Sequence, residues 1–295
     1  MLTYNRWDLT IDCVYSIKNT TKGSYKIYIV DNASPQRPSE EFLNEILTFQ
    51  NVEIIYNKNN AGYSAGNNIG IKKALEDDCD EVLITNNDVI FSNGCIDGLK
   101  YALNEDNTIG IVGPKVYLPD GSMQEINMGC KMTMSGKYKY ILRKTPLAFM
   151  TKNFVEQFHA VHKDKEKPFD VYGVSGCCFM MSRACSRRMY PLDEHTFLFE
   201  EENILSNKME INHFRTVYYS PCTIVHLGGG STEDVTEFAY TCLVASEQYY
   251  CREILKANKF KTFPLFMIRC LVYLRTYPIK RFGLFCKNVF GGKAK

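Results

Sequence analysis

The chain has 295 residues, 45% hydrophobic and 23% charged, enough for one large ligand-binding α/β domain or two small ones and unlike a disordered or fibrous protein. Its net charge of +2 hides an asymmetry: no acidic residue follows Glu253, while ten Lys and Arg lie from Lys256 to Lys295, leaving the remainder at −8 with 25 basic and 33 acidic residues. So acidic a body argues against nucleic acid as a partner, and twelve cysteines with no CxxC and no repeated spacing argue against a disulfide framework. Buried thiols in a reducing cytoplasm are the expected state.

In chain order, Leu2–Tyr4 is the stub of a strand, so short that a natural start upstream of Met1 is an open prospect; no signal peptide is expected before it. Trp7, Ile11, Val14 and Tyr15 recur at helical spacing, which predicts a helix over Arg6–Lys18. Tyr25–Val30 predicts a buried strand ending in Asp31-Asn32, Glu41–Phe49 a helix, and Val52–Tyr56 a third strand ending in a polar loop through Asn60-Ala61-Gly62. Ser64–Leu75 is the next helix, and Val82-Leu83-Ile84 a fourth buried strand that stops at Asn86-Asn87-Asp88. Such alternation is the pattern of a parallel sheet with crossover helices, whose polar strand ends gather along one edge. Neither GxGxxG nor GxxxxGK[ST] occurs in this half, which excludes a dinucleotide fingerprint and a P-loop. At Asn86-Asn87-Asp88 two readings stand: a carboxylate holding a cation against a diphosphate, or a plain turn into the next element.

Further on, Ile109–Leu118 predicts a strand closed by the turn Pro119–Ser122. Met123–Lys167 shows no sustained period and is expected either to cover the substrate cleft or to be partly mobile. Strand-like stretches resume at Phe169–Val174, Cys177–Met181, Thr216–Tyr219 and Thr223–Val225. Between them, Glu200-Glu201-Glu202 opens a helix after an aromatic run; the carboxylates suit the helix dipole, and their mutual repulsion also suits a general base. His226 stands directly before a glycine loop, where a packed histidine and a metal or phosphate ligand are both open.

Seven motifs in this order, LTYNR, IVDNAS, NKNNAGYSAGNNIGI, ITNNDV, VSGCCFMMSR, TFLFEEENIL and IVHLGGGST, resemble the family 2 glycosyltransferases of the GT-A fold, in the branch of rhamnosyltransferase-like enzymes of bacterial surface polysaccharides. The resemblance runs from residue 2 to about residue 232. It implies an α/β fold with a mostly parallel central sheet and flanking helices, a catalytic domain over 1–232 and a helical basic extension over 233–295. It also implies a nucleotide-sugar donor, UDP- or dTDP-linked, and a saccharide or lipid-linked acceptor. Thr3, Tyr4, Asn5, Asp31, Asn60, Gly62, Asn67, Asn86, Asn87, Asp88 and Gly176 are the expected donor contacts, with Tyr4 near the base. Asp88 and His226 are the expected ligands of Mg2+ or Mn2+; Asn86 departs from the family's D-x-D, so the donor's diphosphate should supply more of the coordination. Glu202 is the expected base of an inverting transfer and Glu201 its neighbour, with the reverse assignment open. A protein that binds the nucleotide sugar without transferring it is the rival reading, opened by Asn86 and the short first strand.

Glu233–Ala257 predicts a long helix, followed by Phe263–Leu274, apolar but only twelve residues long and interrupted by Arg269, too short to span a bilayer. Two settings fit this basic end: the inner surface of an anionic membrane, or packing as a helical hairpin against the catalytic domain or a second subunit.

Overall fold

The computed structural model describes residues 1–124, 127–143, 145–159, 167–228 and 236–291. The first half alternates as β1 (Leu2–Thr3), α1 (Trp7–Thr20), β2 (Ile27–Asp31), α2 (Glu40–Ile46), β3 (Val52–Tyr56), α3 (Tyr63–Glu76) and β4 (Glu81–Thr85). There follow β5 (Val89–Phe91), α4 (Cys95–Leu103), β6 (Ile109–Tyr117), α5 (Met134–Leu142), α6 (Lys152–Phe158), β7 (Phe169–Val171), β8 (Cys178–Ser182), α7 (Arg183–Met189), α8 (Glu201–Ile211) and β9 (Arg215–His226). The chain closes with α9 (Glu237–Tyr249), α10 (Lys259–Thr276) and α11 (Phe282–Phe290).

Strands β1, β2 and β3 pair in parallel, as crossover helices require. The second sheet runs β4-β8-β6-β9-β5 with β7 also on β9. There only β6 and β9 are parallel, and the other pairs are antiparallel. The parallel character expected of the whole sheet therefore belongs to its first part, because β7 and β8 arrive through long connections that impose no direction. The two short strands expected after Thr216 are one strand, β9, with a register shift opposite Pro114 and Lys115. Leu2 and Asn86 form the bridge between the sheets. Beside it the edges of β2 and β4 leave a cleft of about 670 Å³ lined by Tyr28, Asn67, Val82 and Ile84.

Side-chain alternation explains the layers, since successive strand residues face opposite sides. Ile27, Ile29, Val112, Cys178, Met180 and Val217 face α1, α2 and α4. Their neighbours Tyr28, Ile111, Phe179, Met181 and Tyr218 face α3, α7 and α8. Helices α2 and α7 are capped by their own sequence, Ser39 Oγ accepting from Phe42 N at 3.1 Å and Ser182 Oγ from Cys185 N at 3.2 Å.

The C-terminal helices pack on one another and on the body. Tyr240, Val244, Phe266, Cys270, Tyr273, Phe285 and Val289 form their core. Ser246 Oγ donates to Leu198 O at 2.7 Å, and Tyr250 OH to Met132 O at 2.8 Å. Arg269, expected to interrupt the apolar run, points inward instead, donating from Nη2 and Nε to Glu247 at 2.7 and 2.8 Å. Deleting one partner of a buried pair strands the other charge, so Arg269→Ala is expected to cost about 3–5 kcal/mol in urea unfolding. The paired change Arg269→Met with Glu247→Leu should recover most of that loss. The expected boundary at 232/233 lies outside the described residues. Among those described, no helix is long and apolar enough to cross a membrane.

Candidate active site

The tips of β1, β2 and β4 and the start of α3 are tied by side-chain amides. Thr3 N–H and O pair within the register that sets Thr3 opposite Asp31, and Asn32 N donates to Thr3 O at 2.9 Å. Asn32 Nδ2 donates to Asn60 Oδ1 at 2.8 Å and to Gly62 O at 3.1 Å. Asn87 Nδ2 reaches Thr3 Oγ1 and Thr10 Oγ1, both at 3.0 Å, and Arg6 O at 3.2 Å. That amide holds Asn5 and Arg6 in left-handed backbone, at φ 58° and 53°. Gly62 has φ 97°, and a Cβ there would lie 2.4 Å from Phe197 O, so only glycine lets this loop meet the Phe197 backbone. Tyr4, half exposed, lines a cavity of about 1240 Å³ together with Asn32, Asn60, Gly62, Phe197 and Tyr249.

Several expected donor contacts are therefore spoken for. Thr3, Asn60 and Asn87 use their polar atoms to hold the loops, and Asn67 lines the cleft between β2 and β4, its Nδ2 donating to Tyr63 O at 3.0 Å. Asp31 is fully buried: Oδ1 accepts from Ser34 N at 3.0 Å, while Oδ2 has no donor and the Arg37 guanidinium stands 3.7 Å away. Asn86 sits half-buried at the end of β4, its N donating to Cys177 O at 2.9 Å.

Asp88 meets the end of β9. Leu227 N donates to Asp88 O at 2.7 Å, and a Cβ on Gly228 would lie 1.7 Å from Asp88 Oδ2, so Gly228 is packed directly on the carboxylate. His226 Nε2 stands 3.3 Å from Asp88 Oδ1 without hydrogen-bond geometry, and Oδ1 is buried with no donor. His226 Nδ1 lies 3.0 Å from Gln124 Oε1; in the tautomer that donates to this oxygen, the Nε2 lone pair faces Asp88. One carboxylate oxygen and one imidazole nitrogen so placed suit a small divalent cation such as Mg2+ or Mn2+, with phosphate oxygens and water as the other ligands. Among the described residues no three His, Cys, Asp or Glu groups converge, so a cation here would rest on these two groups and not on a cage. Gln124→Leu is expected to weaken Mn2+ binding by about 10–100-fold, the usual cost of losing the partner that orients a histidine ligand, read by calorimetry. Gly229–Ser231 of the glycine loop lie outside the described residues.

The acidic helix start sits across Cys177 from Asp88. Phe199 and Glu200 are both left-handed, at φ 73° and 68°, a strained entry that turns the carboxylates of α8 inward. Glu200 is spent on structure: Lys137 Nζ donates to its Oε1, and Asn203 Nδ2 to its Oε2 at 3.0 Å. Glu202 Oε1 accepts from Gly176 N at 3.1 Å, and Glu201 Oε1 is buried with no partner. Burial pushes the Glu202 carboxyl above the usual 4.5, and burial followed by the Glu202 charge pushes Glu201 well above it. Gly176 thus contacts the carboxylate by its N–H, and its carbonyl accepts from Tyr63 OH at 2.5 Å.

Three participants carry no local signal. Gln124 and Lys137 fall in the stretch without periodicity, and Tyr63 looks like an ordinary first residue of a helix; only their contacts with His226, Glu200 and Gly176 mark them. Of the segment expected to cover the cleft, α5 brings Lys137 to the start of α8.

No curated protein matches the chain. Among solved structures, GalNAc-T7 with UDP, GalNAc and Mn2+ superposes with a TM-score of 0.57 at 17% identity, over 77% of this chain and 42% of that one. This chain therefore spans less than half the length of GalNAc-T7. Residues 1–349 of S. aureus TarS superpose with a TM-score of 0.56 at 12% identity, over 98% of this chain and 79% of that one. Both likenesses concern the fold, which is the GT-A arrangement of a central sheet with flanking helices. The model of the family described as "Glycosyl transferase family 2" matches residues 1–189, and the chain belongs to that family.

Proposed function

We propose that the chain is an inverting, metal-dependent glycosyltransferase that moves a hexosyl or deoxyhexosyl group from a UDP- or dTDP-linked donor to a hydroxyl of a saccharide or lipid-linked acceptor in cell-surface polysaccharide synthesis. The observation that carries the reading is the meeting of two acidic centres at Cys177: Asn86 N bonds its carbonyl, and the neighbouring Gly176 N–H holds Glu202. Asp88, two residues beyond Asn86, directly precedes β5, whose Val89 pairs with His226 at the end of β9.

In this scheme the nucleotide lies against Tyr4 and the β1–β2 rim, with its diphosphate toward Asp88 and His226. A divalent cation held there would neutralise charge on the departing diphosphate. The acceptor oxygen attacks the anomeric carbon from the opposite side. A new C–O bond forms as the bond to the diphosphate breaks, and the hydroxyl proton passes to Glu202. Gly176 N–H fixes that carboxylate's direction, and burial raises its proton affinity. Lys137 pairs with Glu200, which leaves Glu201 and Glu202 as the two carboxylates of the three without a cation.

The test is a thermal-shift screen of UDP-, dTDP- and GDP-sugars with Mg2+ or Mn2+, followed by transfer or slow hydrolysis of the stabilising donor. Cation-dependent stabilisation with turnover is the expected result. Binding without turnover or hydrolysis over a wide acceptor set would instead identify a nucleotide-sugar-binding protein, and no stabilisation by any donor would overturn the reading.

A further inference from the structure

Helix α10 carries an inner and an outer apolar face. Its inner face buries Phe266, Cys270 and Tyr273 against α9 and α11, and Leu265 against Tyr250, Cys251 and Met132. On the outer face Phe260, Phe263, Met267, Leu271 and Leu274 follow at intervals of three, four, four and three, which is one continuous stripe at 3.6 residues per turn. They are 90%, 58%, 43%, 65% and 38% exposed. Ile279 and Leu284, just beyond, are exposed as well. A contiguous exposed apolar stripe of this length calls for a covering partner.

Charge selects that partner. Lys259, Lys261 and Arg275 flank the stripe, and Lys256, Lys280 and Lys287 extend the positive field; among the described residues none of the six has a carboxylate within ion-pair distance. The two arginines that would have broken the apolar surface are paired with carboxylates, Arg269 with Glu247 and Arg281 with Glu237. A second copy of this chain would bring the same positive charges face to face. An anionic lipid surface complements both features, apolar side chains entering the acyl boundary and lysines meeting the headgroups.

We infer that the outer face of α10, continued by Ile279 and Leu284, docks the protein flat on an anionic membrane. The inference is independent of the proposed chemistry, and its test reads no activity. Flotation of the full chain is measured with phosphatidylcholine vesicles and with vesicles half phosphatidylglycerol, at about 0.1 M and about 1 M salt, between which the Debye length falls from roughly 10 Å to 3 Å. Expected is binding to the anionic vesicles at low salt, at least about tenfold stronger than to the neutral ones and weakened by high salt. The exposed-site variant Phe263→Glu with Leu271→Glu should lose about tenfold or more of that binding, at an unchanged unfolding midpoint. Lys259→Glu with Lys261→Glu should lose the preference for anionic lipid. No flotation of the wild type with either vesicle, or a Glu variant that floats like the wild type, would overturn the inference. So would a concentration-dependent dimer in sedimentation that the Glu variant abolishes without any vesicle binding.

Discussion

Glu202→Gln is expected to lower turnover by about 10²–10⁴-fold while leaving donor affinity unchanged, because the amide keeps the contact with Gly176 N–H but cannot take the acceptor's proton. Steady-state transfer beside calorimetric donor binding separates the two effects. Unchanged turnover would remove Glu202 from the role, and loss in Glu201→Gln alone would move it to its neighbour. The pH dependence has a definite sign. Burial holds the Glu202 carboxyl above its usual 4.5, and only the deprotonated form accepts a proton, so the rate should climb with pH through a point displaced upward from that value. Stability moves the other way. A carboxyl whose folded pKa exceeds its unfolded one binds more protons when folded, so between those two values stability falls as pH rises. Glu201→Gln should therefore stabilise the fold near neutrality, with the gain vanishing in acid. Glu200→Gln offers the contrast, because any repulsion it relieves is set against the lost charge that pairs Lys137.

Asp88→Ala is expected to abolish the cation-dependent part of donor binding, a loss of at least about 10–100-fold judged by what weaker disturbances of metal ligands cost. Its Oδ1 is the one buried carboxylate oxygen of the strand-tip cluster that faces an imidazole nitrogen, and no other described carboxylate can replace it there. Calorimetry of UDP with Mn2+, repeated with EDTA, isolates that part: the wild type should weaken on chelation and the variant should not respond. Equal responses to EDTA would show that Asp88 holds no cation. His226→Ala should fall between the two, since a diphosphate and water can fill one missing position but not restore the charge of a carboxylate. Gly228→Ala is no substitute for this test, because its Cβ would displace the Asp88 carboxylate and disturb the site sterically.

Much of the first half could be read directly. Val52–Tyr56 is a strand with the expected bounds, and the helices starting near Trp7 and Tyr63 deviate by a residue or two, since fully or half-buried periodic segments write their burial into the sequence. β5, three residues long, and α7, seven, are too short to show a period. In α5 and α6 aromatic and lysine side chains mix on the packed face, as Lys137 shows by being buried, so their amphipathic pattern is blurred. The single strand β9 was split because the irregular register at Ser220–Cys222 interrupts its alternation.

What the sequence determined by itself is the local grammar: which segments alternate, where each ends in amides and carboxylates, and that an acidic triplet opens a helix. Only the tertiary structure decided which of Glu200, Glu201 and Glu202 remains available, because the cation that occupies Glu200 comes from Lys137, 63 positions earlier. It likewise decided that Gln124 orients His226 across 102 positions, and that Arg269 turns inward and leaves α10 an unbroken apolar outer face. The physical reason is the same in each case. Periodicity records that a side chain is buried or exposed, but the neighbour that settles its charge, proton or partner is chosen by packing between elements far apart in the chain.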